Sequence, residues 1–187
     1  FIIEPLKLHR EKWRYNDFYS DYSSKVILVD NFNGEACAER MNKEAPDVVV
    51  LGGSRILRQH IIELPTIGVL NAHPGLLPKY RGVDVIPWAI LNGDDIGVTV
   101  HFIDKGIDTG PIIYTEILDI RRDDSIESLS GRAEFLAAEL MCKAVKILGD
   151  GGDLPGTYQH KEGGQQYYKM PSHLRDEVGR KLRGLQP

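Results

Sequence analysis

The sequence lacks the cysteine pairs and long apolar runs that mark several large classes of protein. Its two cysteines, Cys37 and Cys142, lie far apart in segments predicted to be helical. This spacing gives neither a disulfide framework nor a pair of metal ligands, and it suits a reducing, cytoplasmic compartment. No apolar run approaches the ~18 residues of a membrane span, and the first residues do not follow the plan of a signal peptide. We therefore expect no membrane partner.

The sequence also lacks a basic excess. The 187 residues include 27 acidic and 23 basic side chains, for a formal net charge of −4. Proteins that bind nucleic acid normally carry the opposite balance, so we expect no nucleic-acid partner, although a local basic groove is an open alternative. With 42% apolar residues, the chain is too apolar to be disordered, and its length suits a single domain with a buried core.

Short apolar runs alternate with helical segments in the first part of the chain. Runs of β-branched residues are typical of strands buried on both faces of a sheet. The order predicts an α/β fold with a Rossmann-like, doubly wound and mostly parallel sheet. The predicted strands are 26–30, 47–51 and 67–73, and the predicted helices are 35–44 and 55–64. Ahead of them, 2–4 is interpreted as the end of a strand, and 8–22 as an amphipathic helix or, alternatively, a partner surface or lid.

The second part of the chain follows a different pattern. A helix ending at Asn92 is followed by two closely spaced strands, 97–103 and 112–120. So short a connection permits only antiparallel pairing, which predicts an antiparallel hairpin. Asp124 and Glu127 predict a capping box for a long helix that runs to about Leu148. We assign 1–150 to one domain and 151–187 to a polar tail with a short helix, 175–183, interpreted as a solvated surface helix.

Candidate chemistry lies at the end of the third predicted strand. Asn71 and His73 are two positions apart, so they project from the same face of the strand. They lie at its carboxyl end, where open α/β sheets bind ligands. Pro74, Gly75 and Pro78 then make a stiff turn. Because unpaired polar groups in a core are costly, a functional use for both side chains is one interpretation, and a satisfied core histidine is the other.

A second candidate is the loop Asp104-Lys105-Gly106-Ile107-Asp108-Thr109-Gly110, which joins the two hairpin strands. By itself this composition is typical of an ordinary turn. If the fold brings Asp108 beside His73, the carboxylate stabilises the imidazolium and fixes the tautomer of the ring. An amide, an imidazole and a carboxylate are the groups that stabilise an oxyanion and move a proton in acyl transfer.

Other catalytic signatures are missing from the sequence. Ser54 lacks the surroundings of a nucleophile elbow, and there is no glycine-rich dinucleotide loop. His73, His101 and Asp108 include possible metal ligands, but no His-x-x-x-His or Cys-x-x-Cys motif supports them. We therefore expect no metal.

At these residues the chain resembles the folate-dependent formyltransferases, a family with glycinamide ribonucleotide, methionyl-tRNA and sugar-amine members. The family's Asn-x-His motif and Leu-Leu-Pro turn stand here as Asn71-Ala72-His73 and Leu76-Leu77-Pro78. Its Asp-x-Gly loop stands as Asp108-Thr109-Gly110. Further matches between Val48 and Ile120 are Gly97–His101 and Arg55-Ile56-Leu57.

The resemblance implies that 1–150 is a formyltransferase catalytic domain. Its formyl donor would be 10-formyltetrahydrofolate, and its acceptor a small-molecule amine such as an amino sugar or glycinamide ribonucleotide. Asn71 would donate to the oxyanion of a tetrahedral intermediate, and His73, kept protonated by Asp108, would stabilise it and help to shuttle protons. The pterin would lie against the backbone of two segments, whose residues are Arg55, Ile56 and Leu57, and Asp104, Lys105, Gly106 and Ile107.

Three departures from the family pattern bear on the acceptor. Gly75 stands where many members carry Ser, which removes a hydroxyl beside His73 and bears on the choice of acceptor. The first βα unit of the fold is not found in the sequence, and in nucleotide-specific members that unit carries contacts to the acceptor phosphate. No second C-terminal domain follows, which counts against a complete methionyl-tRNA enzyme.

Two other functions are compatible with the same residues. A hydrolase would use Asn71, His73 and Asp108 to release formate, with water in place of the amine. A non-enzymatic folate-binding or scaffold protein would bind the pterin without turnover. The oligomeric state is open, a homodimer included.

Overall fold

The computed structural model describes residues 2–3, 27–53, 56–160 and 163–185. The chain divides into two compact units, Phe1–Gly68 and Val69–Pro187. The helix predicted over 8–22 lies outside the described residues. The assignment of 1–150 and 151–187 to a domain and a tail stays a prediction.

The first unit is built from alternating strands and helices, as predicted. Its elements are β1 (Ile2–Ile3), β2 (Ile27–Leu28), α1 (Glu35–Glu44), β3 (Val48–Val50) and α2 (Gln59–Ile62). β1 and β2 pair in parallel. Helix α1 buries Cys37 and Met41 and ends at Ala45, which has a φ of 44°. The following Pro46 disfavours the α conformation at Ala45, so the helix ends where the sequence predicts.

The second unit contains a run of three hydrogen-bonded strands, a further short strand pair, and helices. Its elements are β4 (Gly68–His73), β5 (Tyr80–Gly82), α3 (Val85–Asn92), β6 (Gly97–Phe102), β7 (Ile112–Ile117), α4 (Ile126–Gly149), β8 (Gln165–Tyr167) and α5 (Ser172–Leu185). β6 lies between β4 and β7 and pairs antiparallel with both. The predicted β6–β7 hairpin is therefore confirmed.

Strand β6 is central to this unit, since it lies between β4 and β7 and α4 packs against it. Val98 and Val100 are fully buried, and so are Leu129 and Ala133 on α4. The predicted amphipathic helix thus turns its apolar side inward. Cys142 of the same helix is exposed, whereas Cys37 on α1 is buried.

The beginning of α4 differs from the prediction. Ser125 is the N-cap: its Oγ accepts from the Ser128 N–H, and Ser128 Oγ accepts from the Ser125 N–H. The predicted capping pair, Asp124 with Glu127, is therefore wrong. Asp124 instead accepts hydrogen bonds from the Arg121 N–H, from Ser128 Oγ and from Arg132 Nη1.

The polar segment after Gly151 contains structure that its composition does not reveal. β8 pairs in parallel with β5, with Gly82 opposite Tyr167. Neither strand was predicted, because a run of three residues is too short to display a periodicity. α5 confirms the predicted helix, but Val178 and Leu182 are buried and the helix packs on α3, so it is not solvated all round. No helix in the described part of the chain combines the length and the apolar character of a membrane span.

Candidate active site

Two paired strands place four polar side chains together. In the β4–β6 register, Asn71 lies opposite His101 and His73 lies opposite Thr99. Residues opposite each other in a pair share a face of the sheet, and so do residues two positions apart. His73, Thr99 and His101 are buried, with exposed fractions of 4%, 0% and 1%. Buried polar side chains need hydrogen-bond partners, and the partners of these four side chains show which other residues belong to the site.

Asp108 joins this cluster from the loop between β6 and β7. Its φ of 51° lies in the left-handed region, which aspartate tolerates better than most residues. Oδ2 accepts a hydrogen bond from the Gly82 N–H at 2.8 Å and lies 3.5 Å from His73 Nδ1. Oδ1 lies 3.6 Å from His101 Nε2. The structure thus brings Asp108, His73 and, through His101, Asn71 together.

The loop that carries Asp108 is held by Gln159. Its Nε2 donates to the carbonyl oxygens of Asp108 at 3.0 Å and Gly110 at 2.7 Å. A side chain at Gly110 would collide with the carbonyl of Phe102, so the chain passes this point only with glycine. The Asp108 carboxylate is therefore presented from a backbone that is held at Asp108 itself and at Gly110.

Both ring nitrogens of His73 face acceptors. Nε2 donates to the carbonyl of Tyr80 at 2.7 Å, and Nδ1 faces Asp108 Oδ2. The ring satisfies both acceptors only when each nitrogen carries a hydrogen. The imidazole is thus held between a backbone carbonyl and a carboxylate.

His101 orients the amide of Asn71. His101 Nδ1 donates to the carbonyl of Phe102 at 2.8 Å, which leaves Nε2 as an acceptor for Asn71 Nδ2 at 3.3 Å. Burial lowers the pKa of His101, against the opposing effects of the Phe102 carbonyl and Asp108. A neutral ring suits the acceptor role. The second amide hydrogen of Asn71 is then available to a ligand.

Tyr80 supports His73 through its backbone. Its buried ring stacks on Tyr167 with 5.0 Å between centroids, and its hydroxyl donates to Asp94 and accepts from Asn92 Nδ2. Burial, followed by the hydrogen bond to Asp94, raises the pKa of Tyr80 well above its ordinary value. The phenol therefore stays protonated, and the residue whose carbonyl holds His73 is fixed at both ends.

The first segment predicted to bind a pterin lies in the first unit and begins at Arg55, which is outside the described residues. Ile56 is exposed, whereas Leu57 is buried. Asn33 fixes this segment: its Nδ2 donates to the Ile56 carbonyl at 2.9 Å, and its Oδ1 accepts from the Arg58 N–H at 2.7 Å. The backbone here is ordered without being part of a helix or strand.

The second predicted pterin segment is the loop from Asp104 to Ile107. Asp104 Oδ1 accepts from the Gly106 N–H and from Thr109 Oγ1. Lys105 and Gly106 are exposed, and Ile107 is half-buried. The loop therefore presents backbone to solvent while its own acidic side chain holds its shape.

Within 2–3, 27–53, 56–160 and 163–185, no group of three or more His, Cys, Asp or Glu side chains is arranged to hold an ion. His73, His101 and Asp108, considered from the sequence as ligands, contact one another and hydrogen-bond to backbone instead.

Sequence reasoning missed three contributors to the site. His101 is given no role in the site by the sequence beyond that of a possible metal ligand, although its alternation with Thr99 along a strand signals an inward side chain. The Gly82 amide and the Gln159 side chain were not considered. Gln159 lies 51 residues from Asp108, and no local pattern signals such a contact.

The sequence is similar to known formyltransferases. Residues 23–145 match a family model described as "Formyl transferase". A methionyl-tRNA formyltransferase from Halothermothrix orenii is 31% identical over 173 residues, covering 87% of this chain and 54% of that protein. Its counterpart from Koribacter versatilis is 36% identical over 168 residues, covering 83% and 53%. The chain thus spans about half the length of these relatives.

The structure is also similar to solved structures of known formyltransferases. The formyltransferase PseJ from Anoxybacillus kamchatkensis, in complex with UDP-4,6-dideoxy-4-formamido-L-AltNAc and tetrahydrofolate, is 25% identical with a TM-score of 0.66, covering 84% of this chain and 82% of that chain. Glycinamide ribonucleotide transformylase 1 from Symbiobacterium toebii is 28% identical with a TM-score of 0.57, covering 67% and 62%. The predicted α/β formyltransferase fold is confirmed. The family model matches well over half of the residues, and the chain belongs to the formyl transferase family.

Proposed function

We propose that this chain transfers a formyl group from 10-formyltetrahydrofolate to an amine. The observation that carries the proposal is the approach of Asp108 Oδ2 to within 3.5 Å of His73 Nδ1, in the cluster that also holds Asn71. An amide donor, an imidazolium and a carboxylate at one point are the groups that acyl transfer to an amine requires.

In the proposed reaction, the amine lone pair attacks the formyl carbon and forms the new C–N bond while the carbonyl electron pair moves to oxygen. Asn71 gives that oxyanion the amide hydrogen that His101 does not use. The intermediate then collapses: the bond to the folate nitrogen breaks, that nitrogen takes up a proton, and the acceptor nitrogen gives one up. One oxyanion donor typically contributes about 10²–10³ in rate.

His73 supplies charge in this scheme. The Tyr80 carbonyl holds its Nε2, so proton transfer through that atom requires the hydrogen bond to open, whereas electrostatic stabilisation of the oxyanion does not. Asp108 stabilises the imidazolium, and the Gly82 amide orients Asp108. We assign the shuttling of protons between the two nitrogens to His73 as a second role, after the opening of the Tyr80 bond.

We assign the folate to the backbone of Arg55, Ile56 and Leu57 and of the loop from Asp104 to Ile107. A pterin edge alternates donors and acceptors, and backbone N–H and C=O groups complement it. Similar proteins were solved with tetrahydrofolate and with folinic acid, which supports a folate-derived donor. No metal has a role in this scheme.

For the acceptor we propose a small-molecule amine on a sugar nucleotide or ribonucleotide. The N-formyltransferase from Helicobacter canadensis, solved with dTDP-3-aminofucose, is 25% identical with a TM-score of 0.57, covering 75% of this chain and 58% of that chain. PseJ, solved with a formamido sugar nucleotide, is matched over 82% of its length. The net charge of −4 agrees with a small acceptor rather than a nucleic acid.

A second candidate acceptor is methionyl-tRNA. It is supported by relatives named methionyl-tRNA formyltransferase at 31% and 36% identity. The match covers about half of each of these proteins, so the two acceptors are best separated by direct assay.

The testing experiment incubates the purified chain with 10-formyltetrahydrofolate and, in parallel, with amino-sugar nucleotides, glycinamide ribonucleotide, methionyl-tRNA or no amine. We expect a formamide product with a small amine, and loss of that product in His73→Ala. His173→Ala, an exposed histidine on α5, is the matched control and keeps wild-type activity. Formate release without any amine would favour a hydrolase, and tight pterin binding without turnover would favour a binding protein.

A further inference from the structure

Gly75 is held on both sides by its backbone. Its N–H donates to the carbonyl of His73 at 2.8 Å, and its carbonyl accepts from Thr99 Oγ1 at 2.7 Å. Thr99 is completely buried, and its Oγ1 also accepts from the Leu77 N–H at 3.2 Å. The Gly75 backbone therefore cannot shift without breaking buried hydrogen bonds, which are costly to leave unmade.

The space where a side chain would begin at Gly75 is already filled. A Cβ placed there would lie 2.7 Å from His73 Nε2, 2.9 Å from the carbonyl oxygen of Tyr80 and 2.9 Å from Val85 Cγ2. Two of these three atoms are the donor and the acceptor of the hydrogen bond that holds the imidazole. Gly75 has no positive φ, so glycine is required for space and not for its conformational freedom.

We infer that Gly75 is a positioning residue: its missing side chain makes room for the His73–Tyr80 hydrogen bond and does not enlarge the acceptor site. The catalytic consequence of this inference rests on the proposed function. The sequence-based expectation was that glycine in place of the family's serine bears on the choice of acceptor. The packing points elsewhere, because the vacated volume is occupied by the imidazole, a carbonyl and a core valine.

The His73 ring is the group that must move if a side chain is added. Tyr80 is fixed by its stacking on Tyr167 and by its hydroxyl contacts, and the Gly75 carbonyl is fixed by Thr99. A methyl group at position 75 therefore drives Nε2 away from the Tyr80 carbonyl. Since Nδ1 faces Asp108 from the same ring, this displacement also changes the imidazole–carboxylate contact.

Gly75→Ala and Gly75→Ser test the catalytic consequence. A displacement of the catalytic ring by a fraction of an ångström to 1 Å lowers kcat by up to about 10²-fold, and we expect the KM values for folate and amine to stay within about twofold. The order of preference among acceptors stays that of the wild type. The matched control is Gly131→Ala on α4, where an added Cβ meets nothing within 4 Å. A reordered acceptor preference with an unchanged kcat would overturn the inference.

A second measurement does not depend on catalysis. Thermal unfolding is compared for the wild type, Gly75→Ala, His73→Ala and the double variant. Because the imidazole is the nearest of the three groups that a Cβ at position 75 would meet, alanine there lowers Tm less in the His73→Ala background than in the wild type. Equal losses in both backgrounds would overturn the inference. If Gly75→Ala alone does not fold, the double variant still reports whether removing the ring restores folding.

Two further readouts separate displacement of the ring from general crowding. In an NMR spectrum of the wild type we expect the His73 Nε2–H proton to give a hydrogen-bonded signal, and we expect Gly75→Ala to shift or abolish that signal. Adding Val85→Ala to Gly75→Ala recovers part of the lost Tm but not kcat. Persistence of the wild-type His73 signal in Gly75→Ala would contradict the inference. Absence of formyl transfer in the wild type would instead refute the proposed function. The Tm and NMR comparisons would still test whether Gly75 makes room for the His73–Tyr80 hydrogen bond.

Discussion

Gly82 and Asp108 are joined across 26 residues of sequence by a 2.8 Å hydrogen bond from the Gly82 amide to Asp108 Oδ2. Gly82 has a φ of 96°, and a side chain there would collide with the carbonyl of Tyr167. The short β5–β8 pair, which brings Gly82 and Tyr167 face to face, thus fixes the orientation of the carboxylate that faces His73.

The first prediction concerns the negative charge of Asp108. Asp108→Asn retains an acceptor for the Gly82 amide and tolerance of a positive φ, but it removes the negative charge beside His73. We expect kcat for formyl transfer to fall by about 10² or more with little change in KM. Steady-state kinetics compare it with Asp123→Asn, an exposed control. A kcat for Asp108→Asn near the wild-type value would remove the carboxylate from the mechanism.

The second prediction concerns pH and His101. Burial lowers the pKa of His101 below its ordinary value of 6.5, so the unfolded chain binds a proton at this residue more readily than the folded chain. The free energy of unfolding therefore falls as the pH drops below about 6.5. Asp108, Asp104 and His73 are the charged or titratable groups that act on the ring.

His101→Gln removes this contribution. Urea unfolding of both proteins between about pH 5 and pH 8 should show a smaller loss of stability at acid pH in the variant. His160→Gln, an exposed site, serves as control and keeps the wild-type slope. Identical slopes for the wild type and His101→Gln would mean that the folded state does not disfavour the charged ring.

The beginning of α4 provides the third prediction. Burial favours the neutral form of Asp124, but hydrogen bonds from the Arg121 N–H, Ser128 and Arg132 outweigh it and hold its pKa below the ordinary value of 3.8. Asp124→Asn is therefore expected to lower the free energy of unfolding at neutral pH by about 2 kcal/mol.

The pH dependence of that loss follows from the sign of the shift. A carboxyl whose pKa is lowered by folding stabilises the folded state at pH values above its pKa in the unfolded chain. That stabilisation disappears as the pH falls through the pKa of the carboxyl in the folded chain. The difference between wild type and Asp124→Asn should thus be constant above about pH 5 and shrink below 3.8. A difference that does not depend on pH would assign the effect to lost geometry instead of charge.

The fourth prediction separates support of His73 from general loosening of the core. Tyr80→Phe keeps the carbonyl that holds His73 and the stacking on Tyr167, but it loses the contacts to Asp94 and Asn92. Asp94 Oδ2 keeps its ion pair with Lys79 Nζ, at 2.7 Å. We expect a loss of about 1 kcal/mol in stability and a kcat close to that of the wild type. A collapse of kcat with unchanged Tm would show that the phenol itself takes part in the reaction.

The sequence predicts much of the fold because its strands and helices follow clear periodicities. α1 has the predicted bounds, and the connection between β6 and β7 is short enough to dictate antiparallel pairing. The pair β5–β8 could not be predicted, since three-residue strands joined over a distance of more than 80 residues leave no periodic signal. Asn71, His73 and Asp108 were selected by motif. The groups that hold these three side chains in place could not be predicted from the sequence. The Gly82 amide and the Tyr80 carbonyl act through backbone atoms, and Gln159 acts from a distant position.

The most direct test of the account follows an isotopically labelled formyl group from 10-formyltetrahydrofolate in the wild type, Asn71→Ala, His73→Ala and Asp108→Asn. The account predicts label in the formamide of an amine acceptor with the wild type, and transfer reduced by about 10² or more in each variant. Label that stays on the folate, appears only as formate, or reaches the amine equally fast in all four proteins would contradict it.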